Sequence, residues 1–322
     1  MTGPHHTGFE RSGSKSTIPV ILGPTASGKS RLAMEIAAAD ERVEIVSADS
    51  RQIYRQISIG TATPLQRDLD TVSHHCIGIV DIDERFSAGR FAELAGGAIE
   101  EILSRGGIPV IVGGTGFYIR ALFGRLTAPP LSSNTLRLLT ERAANAGFHS
   151  LYTELSRVDP AAAERIPASN RERIIRALGC FLETGRTYSS FRSESAEASD
   201  TLIPSYLLLS PPVELLNRSI EDRIDEMIDQ GLVDEIRSLL DRGFRLDAPG
   251  LRTVGYAEGL ALLRGEIDAD EFRRRTVVAT RRYAKRQRTW FRNQVVPDIV
   301  VEDPGRVGEL PVRWVRICSE IG

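Results

Sequence analysis

Cysteine is scarce: the chain has three in 322 residues, Cys76, Cys180 and Cys318, and no two form a Cys-x-x-Cys pair. That excludes a disulfide scaffold and a cysteine zinc site, and it fits a reducing compartment, the cytoplasm. No apolar run approaches the roughly 20 residues that span a bilayer, so no membrane partner is expected. A dominant charge is missing too. Lys and Arg total 41 against 43 Asp and Glu, a net charge of −2. A wholly basic, histone-like protein is excluded, but a local basic patch is not, because the total hides its distribution. There is no internal repeat. Residues 1–17 are polar and have no apolar core of a signal peptide, so they read as a disordered tail. His5 and His6 belong to that tail and not to a metal site.

What is there is a globular composition, with 41% hydrophobic and 26% charged residues. The length gives room for one large or two modest domains. Order begins with an apolar strand at 18–22 that ends in glycine, and a helical pattern through Leu32, Ile36 and Ala37 follows. Further strands are expected at 43–46 and 108–112, with a helix at 91–105 between them. Strands alternating with helices indicate a parallel sheet. From about 125 to 200 helical signals dominate. Asp159 before Pro160 is a helix start, and Asn170 and Gly185 bracket a helix at 171–184. The apolar face of that helix is Ile174, Ile175, Leu178, Phe181 and Leu182. Residues 189–200 read as a solvated loop. A strand at 206–209 precedes helices at 213–230, 232–242, 256–264 and 268–293. The expectation is an α/β protein: a parallel sheet flanked by helices, with an inserted, mainly helical domain. Its parts are a tail (1–17), the first part of the core (18–124), the insertion (125–200) and the second part of the core with a basic C-terminal helix (201–322).

Gly23, Pro24, Thr25, Ala26, Ser27, Gly28, Lys29 and Ser30 match G-x-x-x-x-G-K-[ST] between a strand and a helix. Glycines let backbone N–H groups wrap a phosphate, and the helix N-terminus adds a favourable field. Lys29 would reach terminal phosphate oxygens and Ser30 would ligate Mg²⁺. The motif makes the expected parallel sheet a P-loop NTPase-like core, and it says that a polyphosphate binds. It leaves open whether that phosphate is hydrolysed, transferred or expelled. Asp49 lies just past the second strand, where an open parallel sheet forms its ligand crevice. Three roles compete for it: a Mg²⁺ ligand, a general base, or a cap for the next helix. The third strand ends in Gly113, Gly114, Thr115 and Gly116 and not in an acid, which argues against simple nucleotide hydrolysis. Residues 273–292 hold nine basic residues and no acid. Arg281, Lys285, Arg288 and Arg292 share one helical face, with Tyr283, Trp290 and Phe291 interleaved. The compensating acids lie elsewhere, notably in 221–234 and 266–271. Such a concentration is a footprint for phosphate-backbone contact. The competing reading is a solvated face with Trp290 and Phe291 in the core.

In combination these pieces resemble the tRNA dimethylallyltransferase, or tRNA isopentenyltransferase, family of the bacterial type. The resemblance runs in order from about 18 to 293. Besides the phosphate loop it is carried by the segments 48–54, 59–62, 74–75, 86–91, 112–118, 159–162, 173–178, 255–258 and 285–292. The chain departs from the family pattern at Gly78, at Ile82, over 167–170 and at Pro212. Residues 294–322 contain one cysteine and no histidine, so the zinc finger of eukaryotic members is not expected.

The resemblance implies transfer of a dimethylallyl group from its diphosphate to N6 of an adenosine next to the anticodon. The phosphate loop would then hold a leaving group, neutralised by Lys29, loop N–H groups and Mg²⁺. It implies Asp49 as base and Thr115 as a hydrogen-bonding residue at the reaction centre, with Arg223 helping to hold diphosphate. Asp49, Ser50, Arg51 and Gln52, and Glu172, Arg173, Ile174, Ile175 and Arg176, match segments that contact tRNA. Arg281, Lys285 and Arg288 would join them. The partners expected are the anticodon stem-loop and dimethylallyl diphosphate. No apolar seam marks an obligate oligomer, so a monomer is expected. Three alternatives remain. One is an adenylate isopentenyltransferase, which needs neither a basic helix nor a helical lobe. Another is a P-loop small-molecule kinase, which would bind ATP tightly. The last is a non-enzymatic RNA-binding module, against which the intact Lys29, Ser30, Asp49 and Thr115 argue.

Overall fold

Runs of Val, Ile and Leu without polar alternation need cover on both faces, and here they line up as one parallel sheet. The computed structural model describes residues 15–124, 131–194, 201–303, 305 and 308–321. In chain order the elements are β1 (Ser16–Leu22), α1 (Lys29–Ala39), β2 (Val43–Ser47), α2 (Gln66–Thr71), β3 (His74–His75), α3 (Ala88–Ser104), β4 (Ile108–Gly113) and α4 (Gly116–Leu122). Five helices follow: α5 (Ser133–Ala146), α6 (Phe148–Val158), α7 (Pro160–Arg165), α8 (Arg171–Thr184) and α9 (Tyr188–Glu194). Then come β5 (Leu202–Leu209), α10 (Val213–Asp229), α11 (Leu232–Asp241), a 3-10 turn (Pro249–Arg252), α12 (Tyr256–Leu263), α13 (Ala269–Gln294), β6 (Ile299–Val301) and α14 (Leu310–Glu320).

The strand order is β3-β2-β4-β1-β5-β6, and every pairing is parallel. Register sets Val20 against Ile111 on one side and Tyr206 on the other. Alternation then sends Val20, Leu22, Val46 and Ile111 to the face covered by Phe91, Ile99 and Phe291. Ile21, Ile45, Val110 and Leu207 go to the face covered by Leu32, Ile36, Trp314 and Val315. Side chains this deeply buried contribute roughly 1.5–3 kcal/mol apiece. Helices α5 to α8 bury a core of their own, including Leu139, Leu151, Leu155, Ile174 and Leu178.

The expected elements are present with altered edges. The first strand starts at Ser16 and not at 18, because Ser16 N–H donates to the Thr201 carbonyl (2.8 Å) and lengthens the β1–β5 ladder. The tail's first fourteen residues, with His5 and His6, lie outside the described residues, as do 125–130 at the start of the helical segment. Asp159 caps α7 with Pro160 in its first turn, and Asn170 caps α8, which Gly185 closes at φ 69°. The expectation of a loop over 189–200 is corrected for its first part: 188–194 form α9. The second oxygen of Asp159 accepts from Ser189 N–H (2.9 Å), and Thr187 Oγ1 accepts from Ser190 N–H (3.2 Å), so local capping winds this polar stretch into a helix. Residues 195–200 lie outside the described residues. On α8, Leu182 is exposed, while Ala177, Gly179 and Cys180 take buried positions.

Candidate active site

The loop between β1 and α1 is held open for an anion. Ala26 and Gly28 adopt positive φ, 60° and 89°, which turns the chain back on itself. Gly28 caps α1 without a side-chain hydrogen bond, so the first-turn N–H groups of the helix remain available. Ser27 is buried, and its Oγ has no hydrogen-bond partner. An orphaned buried hydroxyl of this kind suits an incoming phosphate oxygen. Lys29 folds back to donate to the Pro24 carbonyl (2.7 Å). Burial lowers its pKa to about 8; Asp49 opposes that shift and Arg223 adds to it. Burial likewise lowers Arg223, again against the pull of Asp49. The three charges therefore face one another across one space. Residues Thr25 to Ser30, Asp49, Gln52 and Arg223 line a single cavity of about 590 Å³.

Asp49 stands just past the end of β2, and its Oδ1 accepts from Arg51 N–H (2.8 Å). No helix starts here, the next being α2 at Gln66, so the helix-cap reading is corrected: the oxygen closes a local turn. The loop after β4 meets this turn directly. Ser50 N–H donates to Thr115 Oγ1 (3.0 Å), and Thr115 N–H donates to the Ala48 carbonyl (3.2 Å). Tyr283 of α13 lies beside both. Its hydroxyl is pushed up to about 12, first by burial and then by Asp49, with a Thr115 hydrogen bond pulling it down. Gln52 turns inward: its Oε1 accepts from Ser47 Oγ (2.9 Å) and its Nε2 donates to the Ala62 carbonyl (3.0 Å). That fixes the 61–62 loop, which also receives Arg223 at the Thr61 carbonyl (3.5 Å). His74 lines the cavity with Nδ1 2.7 Å from the Val72 carbonyl, and burial lowers its pKa. His75 Nε2 lies 2.8 Å from Glu44. Both histidines serve the edge of the sheet, as packing residues would.

On the far side of Arg51 lies a second cavity, of about 480 Å³, lined by Arg51, Arg85, Arg245 and Arg252 with Tyr54, Phe86, Asp83 and Asp247, the last paired with Arg245. It was not legible in the sequence, because its arginines come from three distant segments. The basic helix also differs from expectation. Glu221 and Asp225 of α10 pair with Arg281 and Arg273, while Glu271 pairs with Arg274 and Arg275. The acids placed elsewhere by the sequence are packed onto the helix they offset. Arg281, expected among the RNA contacts, is held by Glu221. Arg282, Lys285, Arg288 and Arg292 have no ion pair among the described residues. Phe291 is buried and Trp290 packs over Gly116, so both aromatics serve the core. Gln287 is buried on the inward face of α13, between Ala284 and Phe291, and was not singled out. The signal was available: an amide among arginines, at core spacing from two apolar neighbours. On α8, Glu172 and Arg173 are exposed and Arg176 half-buried. Ile174 is fully buried in the helical core, so its side chain has no surface to offer RNA, and that expectation is corrected. Ile175 packs against the same core.

Among the described residues no group of three His, Cys, Asp or Glu side chains could hold a metal. The hard oxygen ligands at the loop are the Ser30 hydroxyl and the Asp49 carboxylate. That set fits a Mg²⁺ ion carried mainly by diphosphate oxygens and water, not a dedicated protein cage. No described helix is long and apolar enough to cross a membrane.

Comparison with known proteins matches a family model described as IPP transferase over residues 52–294, and a second, isopentenyl transferase, over residues 16–85. A tRNA dimethylallyltransferase of Geobacter sulfurreducens is 43% identical, covering 88% of this chain and 91% of that one. One from Methylococcus capsulatus is 41% identical, over 86% and 89%. Among solved structures, the full-length tRNA isopentenylpyrophosphate transferase of Bacillus halodurans superposes with a TM-score of 0.67 at 33% identity, over 95% and 97% of the two chains. A eukaryotic dimethylallyltransferase acting on tRNA gives 0.72 at 28% identity, covering 86% of this chain and 70% of that one.

Proposed function

This chain belongs to the tRNA dimethylallyltransferase (IPP transferase) family, and from that premise we propose that it moves the dimethylallyl group of dimethylallyl diphosphate to N6 of adenosine 37, beside the anticodon, in tRNAs reading codons that begin with U. The observation that carries this reading is one cavity shared by an anion loop, two cations and a carboxylate, with Thr115 bonded to the carboxylate's own turn.

The chemistry follows from those groups. The C1–O bond of the donor breaks and its electron pair leaves with diphosphate. Lys29, Arg223, the loop N–H groups and Ser27 Oγ stabilise that departing charge more than they stabilise the intact donor. When bound, Mg²⁺ ligated by Ser30 adds positive charge at the same oxygens. N6 attacks C1, and its proton passes to the free oxygen of Asp49. Thr115, fixed by Ser50 N–H, stands at the reacting centre. Because Asp49 lies inside the cavity, the adenosine must leave its stack to reach it. The cavity beyond Arg51, where Arg51, Arg85 and Arg252 outnumber the one aspartate not paired to Arg245, suits the phosphates and bases on either side of the flipped nucleotide. Lys285 and Arg288 on α13, and Arg173 and Arg176 on α8, extend that surface along the stem-loop. Helices α5 to α9 form the lobe that grips it. The protein acts as a monomer in the cytoplasm, where its three free cysteines stay reduced.

The test is transfer of radiolabel from dimethylallyl diphosphate, with Mg²⁺, to unmodified tRNA and in parallel to AMP. Label on tRNA alone is the expected result. Label on AMP alone would move the protein to the free-nucleotide branch, and ATP turnover without label would make it a kinase.

A further inference from the structure

Gln287 joins the two loops between which the chemistry takes place. Its Oε1 accepts from Thr25 N–H of the phosphate loop (2.8 Å), and its Nε2 donates to the Gly114 carbonyl (3.0 Å), one residue before Thr115. The residue is 7% exposed; its bond to Gly114 is buried, and its bond to Thr25 is part-buried at the cavity wall. The fit is close: a Cβ on Gly114 would stand 2.3 Å from Nε2. From Gly114 the linkage continues through Thr115 to Ala48 and Ser50, on either side of Asp49. One amide therefore closes a chain of hydrogen bonds from the carboxylate's turn to the anion loop. It reaches in from α13, an element that supplies neither loop.

We propose that Gln287 is a positioning residue for the transfer, setting the distance between the diphosphate held at Thr25 and the hydroxyl and carboxylate held at Thr115 and Asp49. This rests on the reading of the site as a diphosphate-expelling transferase and adds to it a residue, at the wall of the same cavity, that acts through the two loops it joins. Geometry alone gives it weight, since a misplacement of about 1 Å between reacting groups can cost about 100-fold in rate. A buried glutamine that merely satisfies two backbone groups would affect stability and nothing else.

Two variants separate these roles. Gln287→Met keeps length and volume and removes both bonds. Gln287→Glu keeps the acceptor for Thr25 N–H but, when ionised, cannot donate to Gly114; protonated, it can again. Single-turnover transfer to tRNA, melting temperature and the Kd for inorganic diphosphate are measured for each across pH. The expected result is a loss of about tenfold or more in the transfer rate of Gln287→Met, beyond what its folded fraction explains. For Gln287→Glu, the rate relative to wild type should climb as pH falls. A Gln287→Met rate within about twofold of wild type overturns the proposal. So does a Gln287→Glu rate ratio that is flat with pH and follows melting temperature. If Gln287→Met does not fold, the pH dependence of Gln287→Glu decides alone. If wild type transfers no label, the functional reading has failed. The diphosphate Kd then decides: unchanged in Gln287→Met it overturns the positioning role, and weakened about threefold or more it upholds it.

Discussion

Lys29 enters the reaction with a depressed pKa, and that makes diphosphate binding a proton-linked event. In the free protein burial holds the ammonium near 8, against a usual value of 10.5, with Arg223 adding to the shift and Asp49 resisting it. A bound diphosphate supplies the counter-charge that burial removed, so the pKa returns toward its usual value. Binding then takes up a proton wherever free Lys29 is neutral. With the bound value at or above the usual one, linkage predicts that affinity changes little below about pH 7.5 and weakens about tenfold between about pH 7 and pH 9. The assay is calorimetric titration with dimethylallyl diphosphate, without tRNA, in buffers of different ionisation enthalpy. Uptake should be about one proton per site near pH 9 and about a tenth of that near pH 7. Lys29→Arg, which stays charged throughout, should lose the pH dependence whatever its affinity. The stability side has a definite sign. Because the native lysine binds its proton less tightly than the unfolded one, the unfolded chain carries more protons between about pH 8 and pH 10.5, and this group's contribution to stability rises across that window. An affinity flat from about pH 7 to pH 9, or the same slope in Lys29→Arg, would refute the argument.

Other outcomes follow from the same geometry. Asp49→Asn keeps an oxygen for Arg51 N–H but loses the base, so single-turnover transfer should fall by about 10²–10⁴ while tRNA affinity holds; a loss under about tenfold would remove Asp49 from proton transfer. Lys285→Ala and Arg288→Ala should each lower the salt slope of tRNA binding by about one, whereas Arg273→Ala, whose guanidinium is held by Asp225, should leave it unchanged. Salt titrations of binding distinguish the two. Ile174→Ala opens a cavity in the helical core and should destabilise by about 2–5 kcal/mol in urea unfolding; a value under about 1 kcal/mol would mean that this core is not packed as described.

Features that depend on near neighbours were readable in the sequence. The phosphate loop is a local backbone requirement, and the caps at Asp159 and Asn170 are satisfied within three residues. Their positions matched to the residue. Pairing is different. The order β3-β2-β4-β1-β5-β6 is a property of contacts between distant segments, and β3, two histidines long, exists only because β2 lies beside it. β6 and α14 were passed over, although Pro311, Trp314, Val315 and Cys318 recur at helical spacing. The basic helix shows the same limit for charge. A count along 273–292 finds no acid, while α10 presses Glu221 and Asp225 against it. Composition gives the charge of a segment; packing decides which charges are left over. Gln287 escaped notice because a polar residue in a basic run reads as surface until the helix is turned to face the sheet.

The sheet also works as a ruler. β1, β4 and β2 are neighbours, and their carboxyl ends carry in turn the anion loop, Thr115 and Asp49. Neighbouring strands lie about 4.8 Å apart, so the leaving group, the hydroxyl and the base stand in file with a stride fixed by the backbone ladder, about 10 Å end to end. The ladder sets the spacing of the strand ends, and Gln287 holds the two loops beyond them at that spacing. Helices α5 to α9 contribute no strand to that ladder, so drift in their sequence can proceed without changing the spacing.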